Sequence, residues 1–140
     1  MAKVFRPHGS LDVYIEDNIL YVKAKYTPNS EMVGHFQEKS KEHIDALSKA
    51  PWGSIAYLEG DSIFPLDAKE MIEVNISDMT SMGLIAIAVI IRNSESPNVV
   101  KHFWQSIYEK QKVPHQFFDD ETDAKSWLLN LIALKKNQTN

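Results

Sequence analysis

The sequence contains no cysteine, which excludes disulfides, thiolate metal sites, cysteine nucleophiles and thiol redox chemistry. A reducing cytoplasm fits that absence, and a cytoplasmic location is the expectation. Glycine and proline are scarce, 5 and 6 residues of 140, and no stretch reads as a linker, an internal repeat or a low-complexity segment. Long apolar runs are also missing. The longest, Leu84–Ile91, falls far short of the ~20 residues a helix needs to cross a bilayer. The opening Met1-Ala2-Lys3-Val4-Phe5-Arg6-Pro7 carries no signal-like apolar segment, so neither a membrane span nor a secretory leader is expected. Nor is there an excess of positive charge: 15 basic residues against 19 acidic ones give a formal net charge of -4, which supplies no global attraction for nucleic acid. Gly-x-Gly-x-x-Gly, a Gly-Lys-Ser/Thr phosphate loop and Gly-x-Ser-x-Gly are all absent, which removes nucleotide binding by those devices and the usual serine nucleophile turn.

What is present is a globular composition, 44% hydrophobic and 24% charged, read as a single domain over residues 1–140 with a fraying polar tail from about Lys136. A chain of this size buries roughly two-thirds of its unfolded surface, enough for one sizeable core. Leu11, Val13 and Ile15, then Ile19 or Leu20, Tyr21 or Val22, Ala24 and Tyr26, alternate around Asp17-Asn18, the pattern of a β-hairpin. Thr27-Pro28 breaks the second strand, and Asn29 or Ser30 caps a helix over about Glu31–Lys49. A strand at Ser54–Glu59 and a helix at Leu66–Met79 follow. Leu84–Ile91, apolar on both faces, reads as the central strand. Ser96-Pro97 opens a third helix, His115–Phe118 is a brief strand, and Ala124, Trp127, Leu128, Leu131 and Ile132 mark the last helix. An additional strand at Lys3–Arg6 is also read. The fold class is α/β: a mixed, mainly parallel sheet of about five strands, with an N-terminal hairpin at one edge and four helices.

This order of elements resembles the SpoIIAA-like (STAS and CRAL-TRIO-like) small bacterial proteins over about Ile15–Leu131. The resemblance is carried by Ile15-Glu16-Asp17-Asn18-Ile19-Leu20-Tyr21-Val22, by Pro51-Trp52-Gly53 before the strand ending Tyr57-Leu58-Glu59, and by Phe117-Phe118-Asp119-Asp120-Glu121 leading to Ala124-Lys125-Ser126-Trp127-Leu128. It implies a non-enzymatic domain that binds a protein partner or a small ligand. Antagonists of this kind are similar around a phosphorylated serine after the strand that here ends at Glu59. This chain reads Ile63-Phe64-Pro65-Leu66-Asp67-Ala68-Lys69 there, and Ser62 lies several residues upstream, which argues against a phosphorylation switch.

Ligands in open α/β sheets sit beyond the carboxyl ends of the strands. Those ends here are Glu59-Gly60-Asp61-Ser62, Arg92-Asn93-Ser94 and Phe118-Asp119. Arg92, with Asn93, Ser94 and Ser62, is suited to hold an anion or a partner's carboxylate; the preferred reading is that it pairs with Asp61 or Asp119. Trp104 and Trp127 lie on apolar helix stripes, whereas Trp52 and Phe64-Pro65 fall in loops, either packed inward over the sheet edge or forming a binding patch. Asp61, Ser62, Arg92, Asn93, Ser94, Trp52 and Phe64 are therefore the candidate ligand or partner residues. Glu31, His35, Glu38 and Glu42 share a helix stripe with metal-like spacing but read as a solvated face, and Asp119–Asp123 reads as a helix cap. His8, His102 and His115 meet a serine only if the fold brings them there. No catalytic residue, metal ligand or cofactor is assigned. The first expectation is a non-catalytic domain binding a partner protein, itself included as a homodimer; the alternative is a carrier or sensor of a small apolar or amphipathic ligand, and a hydrolase or metalloenzyme is third.

Overall fold

Asp17 and Asn18 decide where the chain first turns back. Both adopt left-handed backbone, φ 56° and 63°, which Asp and Asn tolerate better than other side chains, and two such residues in succession form the primed turn that matches strand twist. They join β1 (Gly9–Glu16) to β2 (Ile19–Tyr26) as an antiparallel pair with Glu16 opposite Ile19. The computed structural model describes residues 9–26 and 29–138. The strand expected at Lys3–Arg6, the breaker Thr27-Pro28 and His8 lie outside them. Helix α1 (Ser30–Leu47) is capped by Asn29, whose Oδ1 accepts the Met32 N–H at 2.9 Å. Then come β3 (Trp52–Glu59), α2 (Leu66–Ser81), β4 (Leu84–Arg92), α3 (Pro97–Lys110), β5 (His115–Phe117) and α4 (Glu121–Gln138). Among the described residues no helix is long and apolar enough to cross a membrane.

The strands lie in sequence order, β1-β2-β3-β4-β5, with only the first pair antiparallel. The fold class read from the sequence is the one observed. One position differs: β4 is interior, flanked by β3 and β5, but the middle of the sheet belongs to β3. The run Leu84–Ile91 is apolar on both faces because helices cover both faces, and β3 is covered equally while carrying Ser54, Ala56 and Tyr57.

Strand order dictates where the helices go. Each parallel connection returns right-handed to the next strand along, so α1, α2 and α3 are all placed on one face of the sheet. Val33, Ile44, Ile72, Ile76, Trp104 and Ile107 accordingly share one core with Leu20, Leu58, Ile87 and Val89. Helix α4, which leads to no further strand, closes the other face, where Ala124, Leu128 and Ile132 meet Ile19, Ile55, Ala88 and Ile90. Close approach is set by Gly53, whose missing side chain leaves room for Leu128; a Cβ there would lie 2.8 Å from Leu128 Cδ2.

Trp52 departs from its expected loop position. It opens β3, is fully buried, and is held twice: its backbone N–H donates to Gly83 O (3.1 Å) and its indole Nε1–H to Met82 O (2.9 Å). Gly83 has φ 104°, and a Cβ there would come 3.2 Å from the indole, so the α2–β4 turn needs glycine for two reasons.

Helices α2 and α3 are tied by one buried carboxylate. Glu73 accepts from Lys69 and Lys110, each at 3.2 Å, and its own side chain is only 9% exposed. Burial opposes its charge, but the two ammonium groups outweigh burial and hold the carboxyl below its ordinary value. A carboxylate depressed in the folded state stabilises the fold above its unfolded pKa, and that contribution disappears as pH falls through the folded value. Glu73→Gln is therefore expected to give a shallower loss of urea-unfolding stability between neutral pH and the acid side of the carboxylate range than the parent protein shows. An identical acid limb in both would remove Glu73 from this role.

Candidate functional site

The strand-end residues named from the sequence separate into two groups because β4 alternates its side chains between the faces. Arg92 points with Ala88 and Ile90 to the α4 face, where its guanidinium lies 5.9 Å from the Tyr57 ring centroid. The expected ion pair with Asp61 or Asp119 is not made; among the described residues Arg92 has no ion pair at all. Asn93, with left-handed backbone at φ 54°, donates to Glu59 Oε1 at 2.7 Å.

Asp61 and Ser94 do meet, at 2.5 Å, and Asp61 Oδ1 also accepts the N–H groups of Glu95 (3.1 Å) and Ser96 (3.2 Å). These bonds hold the turn from β4 into α3. The Ser94 hydroxyl, then the Ser96 and Glu95 amides, keep the Asp61 carboxyl below its ordinary value despite some desolvation. Ser62 is buried beneath this turn, and its carbonyl accepts the Trp104 indole N–H at 2.7 Å. The acceptors of the strand-end cluster are thus used in fastening loops. Asp120 plays the corresponding part for α4, accepting the Asp123 N–H at 2.9 Å.

On the α4 side, that helix packs on β3 and β4 and leaves the neighbouring face of β1 and β2 to aromatic and charged side chains. Tyr14 stacks on Tyr21 (4.8 Å between centroids, 3° between planes), and Lys23 reaches both Tyr14 (5.5 Å) and Tyr57 (5.0 Å). The Tyr57 hydroxyl donates to Glu121. Lys125 bonds Glu16 (2.9 Å) and Asp17 (3.1 Å), and the two carboxylates push its pKa up. Burial likewise raises the Tyr21 phenol, whose oxygen has no hydrogen-bond partner among the described residues.

The remaining feature lies on the opposite face, beneath α1 and α2. Strands β2 and β3 turn small side chains, Ala24, Ser54 and Ala56, toward these helices, and the helices do not descend to fill the space. The result is an apolar crevice of about 100 Å³. Val33 and Phe36 bound it on α1; Ile72, Ile76 and Met79 bound it on α2. Phe64 and Trp104 close one end, edge to face at 5.8 Å. Two polar groups in the lining are already engaged: the Ser54 hydroxyl donates to Leu20 O (2.9 Å) and the Trp104 indole to Ser62 O.

Of the two loop aromatics, then, Trp52 is locked under the α2–β4 turn and Phe64 is buried as a wall of the crevice; neither ring forms a surface patch. The other crevice residues were legible in the sequence only as helix and strand core. The signal that marks them is the small residues at alternate strand positions, Ala24 on β2 and Ser54 and Ala56 on β3, opposite helices of ordinary bulk. On the α1 stripe, Glu31, His35, Glu38 and Glu42 are all exposed, and among the described residues no group of three metal-ligating side chains is assembled.

No protein-family model matches this chain, and no curated protein matches it. Among solved structures it is similar to an uncharacterised protein of the DUF3478 family from Shewanella loihica PV-4, itself described as having a SpoIIAA-like fold. The two are 14% identical, with a TM-score of 0.62 over 91% of this chain and 99% of the other. The fold is SpoIIAA-like. In this SpoIIAA-like domain Asp61, just after β3, pins the turn from β4 into α3, and no serine occupies the stretch 63–69.

Loss of the Asp61 carboxylate should loosen the β4–α3 turn while leaving the sheet intact. In Asp61→Ala, amide exchange at Glu95 and Ser96 is expected to speed up several-fold, with the amides of Ala88 and Val89 unchanged. Unchanged exchange at Ser96 would show that Asp61 does not hold the turn.

Proposed function

We propose that this protein works by binding rather than by catalysis, and that its ligand is a small apolar or amphipathic molecule held in the crevice between α1, α2 and the sheet. The observation that carries this reading is the crevice itself, an apolar space of about 100 Å³ between α1, α2 and the sheet. Interiors pack to crystal-like density, and a void of this size forfeits contacts that a ligand restores. An apolar cavity of roughly 150 Å³ takes benzene, so this space suits a short alkyl chain or a similarly compact group. The SpoIIAA-like fold is in keeping with a binding role.

A second reading, an interaction domain for a partner protein or a second copy, draws support from apolar side chains left exposed on the same layer of helices: Leu66 (70%) and Val74 (60%) on α2, and Val99 (56%) on α3. Sedimentation equilibrium separates the self-association version, which requires a mass that rises with concentration and reverts when Leu66 and Val74 are changed to serine.

The crevice reading is tested by methyl resonances, because Met32 and Met79 both line the space. With methyl-labelled methionine, n-pentane is expected to shift both signals saturably. Ala56→Leu, which fills the crevice from its floor, should abolish the shift and cost no more than the about 3 kcal/mol of an overpacked core. No shift in the parent protein, or an equal shift in Ala56→Leu, would overturn the reading.

A further inference from the structure

Asn75 stands apart from everything else in the crevice wall. It lies on α2 three residues after Ile72 and four before Met79, spacings that put all three on one helical face, and all three line the crevice. Its carboxamide carries two N–H donors and an acceptor oxygen. None of them has a hydrogen-bond partner among the described residues, whereas Ser54 and Trp104 in the same wall are bonded to Leu20 and Ser62. Asparagine is also a poor residue for the interior of a helix, so this position gains nothing for α2 by carrying it. Asn75 is half-buried while Ile72, Ile76 and Met79 beside it are buried, which places it where the apolar space meets solvent.

We infer that Asn75 is the recognition residue for the polar head of an uncharged amphiphile, an alcohol, amide or ester, whose short apolar tail occupies the crevice. This rests on the crevice reading and adds the chemistry of the ligand. The head is uncharged because no acidic or basic side chain lines the space, and its one phenol, Tyr108, is neutral at ordinary pH, so a carboxylate or ammonium would surrender its hydration with no counter-charge in return. The cation on α1 near the Leu11 end, Lys39, is engaged with the Leu11 carbonyl. A carboxamide suits a hydroxyl or an amide because it can donate and accept at once, and an apolar residue in its place would recognise the tail alone.

Three probes of equal chain length separate the contributions: n-pentane, n-pentanol and pentanoate, each titrated against the methyl signals of Met32 and Met79. The parent protein is expected to bind n-pentanol about three- to tenfold more tightly than n-pentane, the usual worth of one net hydrogen bond, and to bind pentanoate most weakly. Asn75→Leu should abolish the preference for n-pentanol while retaining n-pentane, and Asn75→Ala, which adds no bulk at the mouth, should do the same. Equal affinity for n-pentane and n-pentanol in the parent, pentanoate as the tightest probe, or an unaltered preference in both variants would overturn the assignment of Asn75 while leaving the crevice reading in place. Failure of all three probes to bind would overturn both.

Discussion

A parallel strand that must return right-handed to the strand beside it controls the placement of every helix but the last. Because β2, β3, β4 and β5 run in sequence order, three successive returns deposit α1, α2 and α3 on one face. That face is crowded, and the opposite one is left to α4 alone. Had the chain reversed direction at any strand, helices would have been shared between the faces and a switch point would have opened at the strand ends, where ligands of open sheets usually bind. With no reversal there is no such opening, and the polar residues at the strand ends, Asp61 with Ser94 and Asn93 with Glu59, bind one another.

The space for a ligand appears where helix spacing and side-chain size disagree. Helices on a sheet are held at a distance set by their bulkiest contacts, here Trp104 and Phe64 at one end and Leu47 and Trp52 at the other. Between those supports, Ala24 and Ala56 are too small to reach α1 and α2. Glu73, clasped by Lys69 and Lys110, adds a second constraint by fixing α2 against α3, so α2 is not free to sink onto the alanines. Gly53 produces the opposite outcome on the other face, where the absence of a side chain lets Leu128 come into contact and no space remains. The same device, a small residue on a strand, thus gives close packing under α4 and a crevice under α1 and α2.

Local patterns legible in the sequence were those with a local cause. The Asp17-Asn18 turn, the Asn29 cap, Pro97 in the first turn of α3 and the alternation of β1 and β2 all follow from neighbouring residues, and the resemblance to SpoIIAA-like proteins rested on the order of such elements. What escaped depended on which face a residue took at the end of a strand. Arg92 and Asp61 are near in the order of strand ends yet lie on different sides of the sheet, so the charge pair that their chemistry suggests does not form. Trp52 looked like a loop residue because Pro51 and Gly53 flank it; its burial is decided by the distant turn at Met82-Gly83, which accepts both of its N–H groups. Ala24, Ser54 and Ala56 carry the signal of the crevice, but an ambiguous one, because a small residue in a strand is equally the sign of close packing.

The account turns on whether the space beneath α1 and α2 is a dry, accessible void. Crystals of the protein pressurised with xenon measure this directly, since xenon enters apolar cavities without needing a polar partner. A xenon atom bounded by Ala56, Ile76 and Phe36 is the expected result. A crevice that stays empty of xenon, or that holds ordered water in its place, would contradict the account.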